Sequence, residues 1–149
     1  MNFAEYSSPV GKLILCSDGI HLTGVWFGRE IPEPPKEDGI LKAARKWLDA
    51  YFRGEWQEPD FPILPEGTAF QKQVWQLLRQ TSYGQITTYG DLARQISERM
   101  SPQAVGQAVG KNPIAILIPC HRCVGAGGKL TGYAWGIDKK KWLLELEKK

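Results

Sequence analysis

A segment rich in proline and acidic residues lies near the middle of this 149-residue chain and limits how the chain can fold. The stretch GEWQEPDFPILPEG (54–67) contains three prolines, which lack a backbone N–H and interrupt both helices and sheets. A continuous helix or strand is therefore excluded here. The length suits one domain or two small ones, and the segment predicts two, residues 1–62 and 63–149.

The two parts of the chain differ in charge. Residues 1–67 hold 7 basic and 11 acidic side chains, whereas residues 68–149 hold 12 basic and 5 acidic ones. A basic second part is typical of proteins that bind a polyanion such as nucleic acid, although charge alone is equally compatible with an ordinary solvated surface.

The composition also indicates the cellular compartment in which the protein acts. No run approaches the ~18 apolar residues that a membrane span requires, and the start MNFAEYSSPVGK lacks the features of a signal peptide. Three cysteines are too few for a disulfide framework. We therefore expect a cytoplasmic protein that makes no membrane contact.

Turn signals and helix-ending signals in the sequence predict where the strands and helices of the N-terminal part lie. Two apolar segments, 10–16 and 20–27, flank Asp18-Gly19 and predict a β-hairpin. Apolar residues at helical spacing predict a helix over 41–52 that Gly54 ends. This N-terminal part is thus expected to combine a sheet with a helix.

The second part predicts three helices. Thr68 to Gln71 form a capping-box pattern for a helix that ends at Arg79, and a second helix should begin near Thr88 or Tyr89. Ser101-Pro102 should begin a third helix that ends by Gly110. The last two resemble a helix-turn-helix. The small, uncharged residues of the third helix fit either close approach to a DNA groove or packing in a core.

The most chemically informative stretch is NPIAILIPCHRCVGAGGKLTGYAWG (112–136). A buried apolar run ends at Pro119, and Cys120, His121 and Arg122 follow it. A thiolate is a nucleophile, and a neighbouring base or cation lowers the thiol pKa from its usual ~8.5. Such a site also requires a group that orients the imidazole. The candidates are Asn112, Glu145 and Glu147, and spacing does not choose among them.

Three other interpretations of Cys120 remain open. Cys120 and Cys123 form a Cys-x-x-Cys pair, but the glycine-rich run that follows is a poor helix start for a thioredoxin-like site. A metal site is disfavoured because only Cys16 and His21 could add ligands. A small buried cysteine is always possible, although His121 and Arg122 argue against it.

The run Ile118-Pro119-Cys120-His121-Arg122, between Asn112-Pro113 and Gly132-Tyr133, resembles the O6-alkylguanine-DNA alkyltransferases. The resemblance continues through FQKQVWQLL, YGQITTYGDLA, AVGQAVGKNP and WLLELE, and so covers residues 68–149. The hairpin SPVGKLIL resembles the N-terminal domain of that family more loosely. The implied fold is α+β, with a small antiparallel, ribonuclease-H-like domain followed by a winged helix-turn-helix domain.

The resemblance implies direct DNA repair without a cofactor or a metal. A monomer would bind double-stranded DNA in the minor groove, flip out an O6-alkylguanine and move the alkyl group irreversibly to its own cysteine; O4-alkylthymine is a further possible substrate. The residues that match the catalytic positions of the family are Cys120, His121, Glu147, Asn112 and Tyr89. Those that match its DNA- and base-binding positions are Gln103, Ala104, Gly106, Arg122, Val124, Tyr133 and Trp135.

The sequence departs from the family pattern at three points. Gln103 stands where an arginine often fills the space of the flipped base, and Trp135 stands where many members have glycine. Cys16 and His21 match only half of a zinc site found in some members. A damage-recognition protein that lacks transfer activity is a further alternative, but such proteins lack the cysteine that Cys120 represents here.

Overall fold

The chain begins with an antiparallel sheet whose strands run in the order β1-β2-β3. In the computed structural model, which describes all 149 residues, the strands are β1 (Asn2–Ser8), β2 (Gly11–Ser17) and β3 (Leu22–Phe27). The hairpin predicted around Asp18-Gly19 is confirmed: Cys16 pairs with Gly24, and Gly19 adopts a positive φ of 94°. Strand β1 had no counterpart in the prediction, yet it places Phe3, Ala4 and Tyr6 in the core.

Helix α1 (Gly39–Phe52) packs on this sheet and confirms the predicted helix. It begins at Asp38, whose side chain accepts a hydrogen bond from the backbone N–H of Leu41 (2.8 Å). It ends before Gly54, which has φ +85°, a conformation that glycine adopts without cost.

Two compact units are present. The first comprises Met1–Glu66 together with Pro113–Ala115, and the second comprises Gly67–Asn112 together with Ile116–Lys149. Within the first unit, residues 113–115 lie along β3, because the N–H of Val25 donates to Pro113 O (3.0 Å) and the N–H of Ala115 donates to Val25 O (3.1 Å).

The second unit is mainly helical. The three predicted helices are confirmed: Thr68 and Ser101 cap the first and third of them as predicted, and Thr88 caps the second by accepting a hydrogen bond from the N–H of Asp91. Its elements are α2 (Ala69–Arg79), β4 (Thr87–Thr88), α3 (Tyr89–Ile96), α4 (Pro102–Gly110), β5 (Cys123–Val124) and α5 (Ile137–Glu147).

Contacts among these helices hold α3 and α4 together as a pair. Both pack on α2, and the indole Nε1 of Trp75 donates to Ala108 O (2.8 Å), which ties α2 to α4.

The α+β fold class is confirmed. None of the helices is long and apolar enough to cross a bilayer.

Candidate active site

A single 3-10 turn, Cys120–Arg122, presents the reactive stretch. It begins where the buried run ends at Pro119, and the N–H of Arg122 closes it by donating to Pro119 O (2.9 Å). Strand β5 follows directly and pairs in parallel with β4, which leads into Tyr89. This pairing brings residues from distant parts of the sequence to the same site.

Cys120 is buried, and its thiol has polar neighbours. The Nδ2 group of Asn112 donates to Cys120 Sγ (3.1 Å) and to Ile118 O (2.8 Å), so Asn112 also fixes the backbone before the thiol. Burial raises the pKa of Cys120 to about 11, while hydrogen bonds from Asn112 and Tyr133 and the charge of Lys140 act in the opposite direction. The resting group is therefore a neutral thiol that must lose a proton before it can attack.

His121 points to a carboxylate on α5. Its Nε2 lies 2.6 Å from Glu147 Oε2, and both side chains are buried. Glu145, the other acidic candidate on this helix, is exposed and pairs with Lys148 (3.5 Å). The structure thus brings Asn112 to the thiol and Glu147 to the imidazole.

Glu147 is the negatively charged group of this cluster, and Arg122 is the positively charged group that pairs with it. Arg122 donates from Nε to Glu147 Oε1 (2.7 Å) and from Nη2 to Oε2 (3.1 Å). Burial would raise the pKa of Glu147, but its bonds to His121 and Arg122 outweigh burial and lower it to about 2. Burial lowers the pKa of His121, against the opposing effect of Glu147. The stable state is therefore a neutral imidazole beside an ionised carboxylate.

Neutral His121 has a defined tautomer. Because a carboxylate only accepts hydrogen bonds, Nε2 carries the proton that Glu147 receives, and Nδ1 keeps a lone pair. Nδ1 is buried and has no hydrogen-bond partner within the protein. The imidazole is therefore oriented as a proton acceptor.

The thiol borders a cavity of about 450 Å³ within the second unit. Its walls come from α3, α4, the 3-10 turn and the 131–134 segment: Tyr89, Pro102, Gln103, Gly106, Val109, Gly110, Cys120, Thr131, Gly132, Tyr133 and Ala134. Gly106 faces the Tyr89 ring, and exposed Gln103 lies at the α4 side. The volume suits a ligand of the size of a nucleobase.

Not every residue of the predicted binding set reaches this cavity. Ala104 and Trp135 are half-buried, and Val124 is buried on β5; none of the three lines it. Trp135 packs edge-on against Tyr133, with ring centroids 5.4 Å apart, so it contacts a residue of the cavity wall without lining the cavity itself.

Arg122, which the resemblance assigns to DNA or base binding, lies inside the second unit in this structure. Only 1 % of its surface is exposed, and its guanidinium group also donates to Thr81 O (2.7 Å). The guanidinium group is therefore bound to Glu147 and to the segment that connects α2 and β4. Sequence alone did not exclude DNA contact, because an arginine beside a nucleophile has the same appearance in either role.

Sequence reasoning missed Lys140. The run Lys139-Lys140-Lys141 has the composition of a solvated face or a phosphate contact, but Lys140 has 0 % exposure. Its Nζ donates to Thr131 O and Gly132 O (3.4 Å each). In the sequence, only its position four residues after Gly136 distinguishes Lys140 from Lys139 and Lys141.

Cys16 and His21 are engaged locally. The hydroxyl of Thr23 donates to Cys16 Sγ (3.3 Å), and His21 Nδ1 lies 3.0 Å from Asp18 Oδ2. No group of three or more potential ligands converges anywhere in the chain.

The second unit, with its paired helices α3 and α4 and its buried thiol, is the part of the chain that matches a DNA-binding domain. Residues 69–149 match the model of the 6-O-methylguanine DNA methyltransferase DNA-binding domain, and residues 1–65 match that of its ribonuclease-like domain. The chain belongs to the 6-O-methylguanine DNA methyltransferase family.

Relatives match over nearly the whole chain. It is 42 % identical to a methylated-DNA–protein-cysteine methyltransferase of Methanosarcina acetivorans, with 99 % of this chain and 98 % of that protein covered. It is 44 % identical to the protein of the same name from Haemophilus influenzae, with coverages of 98 % and 86 %.

A solved structure agrees in fold. Mycobacterium tuberculosis OGT in complex with DNA has a TM-score of 0.90 and 42 % identity to this chain, with 99 % of this chain and 93 % of that one covered.

Proposed function

We propose that this protein is a methylated-DNA–protein-cysteine methyltransferase that repairs O6-alkylguanine in double-stranded DNA by moving the alkyl group to Cys120. The observation that carries the proposal is a buried thiol on the wall of a base-sized cavity, beside Asn112 and next in sequence to the His121–Glu147 pair. The second unit also carries the match to a DNA-binding domain. We assign DNA binding and transfer to residues 63–149, and a separate N-terminal domain to residues 1–62.

The transfer step forms one bond and breaks one. The Cys120 thiol gives its proton to His121 Nδ1 through a bridging water, and the thiolate attacks the alkyl carbon. The S–C bond forms while the C–O6 bond breaks, and the leaving guanine takes up a proton. The product is a thioether, which thiol–disulfide exchange does not reverse. Each protein molecule therefore acts once and needs no cofactor.

Tyr89 is placed to protonate the leaving guanine. Burial raises the pKa of its hydroxyl, so it remains a proton donor at neutral pH. The Thr131 hydroxyl donates to Tyr89 O (3.4 Å), which leaves the phenolic hydrogen free to point into the cavity.

Helix α4 would approach the minor groove closely. Ala104 and Gly106 add little side-chain bulk, and Gln103 at the cavity edge would hydrogen-bond the base left without its partner. Extruding the base is how an enzyme reaches an atom inside the base stack. Tyr133, which lines the cavity, would form one wall of the pocket that holds the extruded guanine.

The second thiol provides a test that separates transfer from redox chemistry. Cys123 is fully buried, and burial raises its pKa to about 12, so it remains protonated. We expect Cys123→Ser to keep the wild-type rate of methyl transfer within about threefold. Single-turnover kinetics on an O6-methylguanine duplex measure this rate. Loss of transfer in this variant, with disulfide reductase activity in the wild type, would favour the Cys-x-x-Cys oxidoreductase.

Trp135 is expected to restrict the size of the alkyl group. Its ring packs against Tyr133, so that side of the pocket resists expansion. We expect O6-benzylguanine to react at least about tenfold more slowly than O6-methylguanine. In Trp135→Gly, the difference between the two reaction rates should be smaller. Paired rate measurements on the two substrates test this. Comparable rates in the wild type, or an unchanged ratio in Trp135→Gly, would contradict the assignment.

Partner and location follow from the same chemistry. We propose that the protein acts as a monomer, since all the groups assigned here lie on one chain. Its three cysteines are unpaired and buried, as suits the reducing cytoplasm.

Stoichiometry tests the proposed function. A fixed amount of methylated duplex is titrated with protein, and the O6-methylguanine that remains is counted. We expect repair to stop at one lesion per protein molecule. Continued turnover, or no loss of methyl from DNA, would contradict the proposal.

A further inference from the structure

Lys140 is a buried cation that the reaction steps above do not use. It has 0 % exposure, and its hydrogen bonds go to the two carbonyl groups of Thr131 and Gly132. No carboxylate forms an ion pair with its ammonium group, whereas the buried Arg122 has Glu147. Lysine is rarely buried without such a partner, because removing an ammonium group from water is costly.

The position of Lys140 connects α5 to the proposed transfer site. The two residues whose carbonyls it holds, Thr131 and Gly132, line the same cavity as Cys120. Helix α5 also packs on the 3-10 turn that carries the thiol. One side chain on α5 therefore contacts the cavity wall, and its charge acts on the nucleophile.

Several titratable groups surround this ammonium. Its charge lowers the pKa of Cys120 on the 3-10 turn and of Cys123 on β5, although burial dominates both thiols. It also adds to the burial that lowers the pKa of His121. On the same side, Arg122 and Glu147 neutralise each other.

We propose that Lys140 is a positioning residue for the transfer reaction: it fixes the Thr131–Gly132 wall of the cavity and supplies a positive charge where the Cys120 thiolate forms. This inference rests on the proposed function. A charge acts strongly here because the site has a low effective dielectric constant. Burial lowers the pKa of Lys140, but thiolate charge on Cys123 or Cys120 raises it, so formation of the Cys120 thiolate favours the charged ammonium that stabilises it.

The experiment compares Lys140→Met, which removes the charge at similar volume, with Lys140→Arg, which keeps it. Lys141→Met is the matched control, because Lys141 is the exposed neighbour on the same helix. Alkylation of Cys120 by iodoacetamide without DNA, located by peptide mapping, is followed from about pH 6 to about pH 10, where the rate is proportional to the small fraction of thiolate. Methyl transfer from an O6-methylguanine duplex is measured in parallel.

We expect Lys140→Met to alkylate Cys120 about tenfold more slowly throughout this pH range, because a thiol pKa raised by about one unit leaves a tenfold smaller thiolate fraction. Methyl transfer should slow by a similar factor. Lys140→Arg, which keeps the charge, and Lys141→Met should both keep the wild-type rate. A wild-type rate in Lys140→Met overturns the proposal, and so does an equal slowing in Lys140→Arg, which marks a purely structural role.

Two controls keep the test decisive. Thermal melting and near-ultraviolet circular dichroism establish that each variant is folded; if Lys140→Met is not, Lys140→Gln replaces it against Lys140→Arg with the same expected contrast. If the wild type transfers no methyl group, the proposed function fails. The iodoacetamide profiles still decide whether Lys140 acts on the thiol.

Discussion

Replacing Cys120 with serine is expected to abolish methyl transfer while leaving the fold intact. Serine is nearly isosteric, and its hydroxyl can accept the hydrogen bond that Asn112 donates to the thiol. A hydroxyl, however, has no accessible anionic form near neutral pH, whereas a thiol can lose its proton to a base, the role that we propose for His121. Loss of O6-methylguanine from a duplex, measured with protein in excess, should fall below detection.

The matched control is Cys16→Ser. Cys16 is also buried and free, but it lies in the sheet and is hydrogen-bonded to Thr23. This variant should keep the wild-type rate. Repair by Cys120→Ser, or its loss in both variants while each remains folded, would contradict the assignment of Cys120 as the acceptor.

Replacing Glu147 with alanine is expected to cause the largest loss of stability. Its carboxylate accepts hydrogen bonds from two buried side chains, His121 and Arg122. Removing one partner of a buried ion pair leaves a desolvated charge, which costs about 3–5 kcal/mol. That is a large fraction of the about 5–15 kcal/mol that holds a typical domain folded. Urea denaturation at neutral pH measures the change.

Glu145→Ala is the control on the same helix. Glu145 is exposed and pairs only with Lys148 at the surface, so its loss should change the free energy of unfolding by less than about 0.5 kcal/mol. Equal effects of the two substitutions would contradict the account of the cluster. Methyl transfer should slow in Glu147→Ala alone, because His121 then loses the group that fixes its tautomer.

The stabilisation by Glu147 should also depend on pH. Its pKa is about 2 in the folded protein, against an ordinary value of 4.5. Because the folded-state pKa is the lower one, the ionised carboxylate stabilises the fold above about pH 4.5, and this stabilisation is lost as the pH falls toward 2. The stability difference between wild type and Glu147→Ala should therefore shrink over that range.

Local signals in the sequence predicted the helices well because a helix cap involves residues only three apart. Thr68 with Gln71 and Ser101 with Ala104 form the predicted bonds. Strand β1 was not predicted. Its backbone hydrogen bonds are made with β2, for example where Phe3 pairs with Cys16, so its strand conformation depends on that pairing and not on a local sequence signal.

The site could be predicted only in part. The reactive stretch itself is contiguous, and resemblance to a family selected Glu147 where spacing left Glu145 equally possible. The burial of Arg122 and Lys140 could not be read from the sequence, because hydropathy assigns both to the surface. Their environments depend on how α5 packs against the 3-10 turn and the 131–132 backbone.

The proposed transfer requires that Cys120 itself receives the alkyl group. Intact-mass spectrometry after incubation with a duplex that carries one O6-methylguanine, followed by peptide mapping, identifies the acceptor residue. We expect the mass of a single added methyl group, located on Cys120 and absent from Cys120→Ser. An unchanged mass despite tight, lesion-selective binding, or a methyl group located on another residue, would exclude transfer to Cys120.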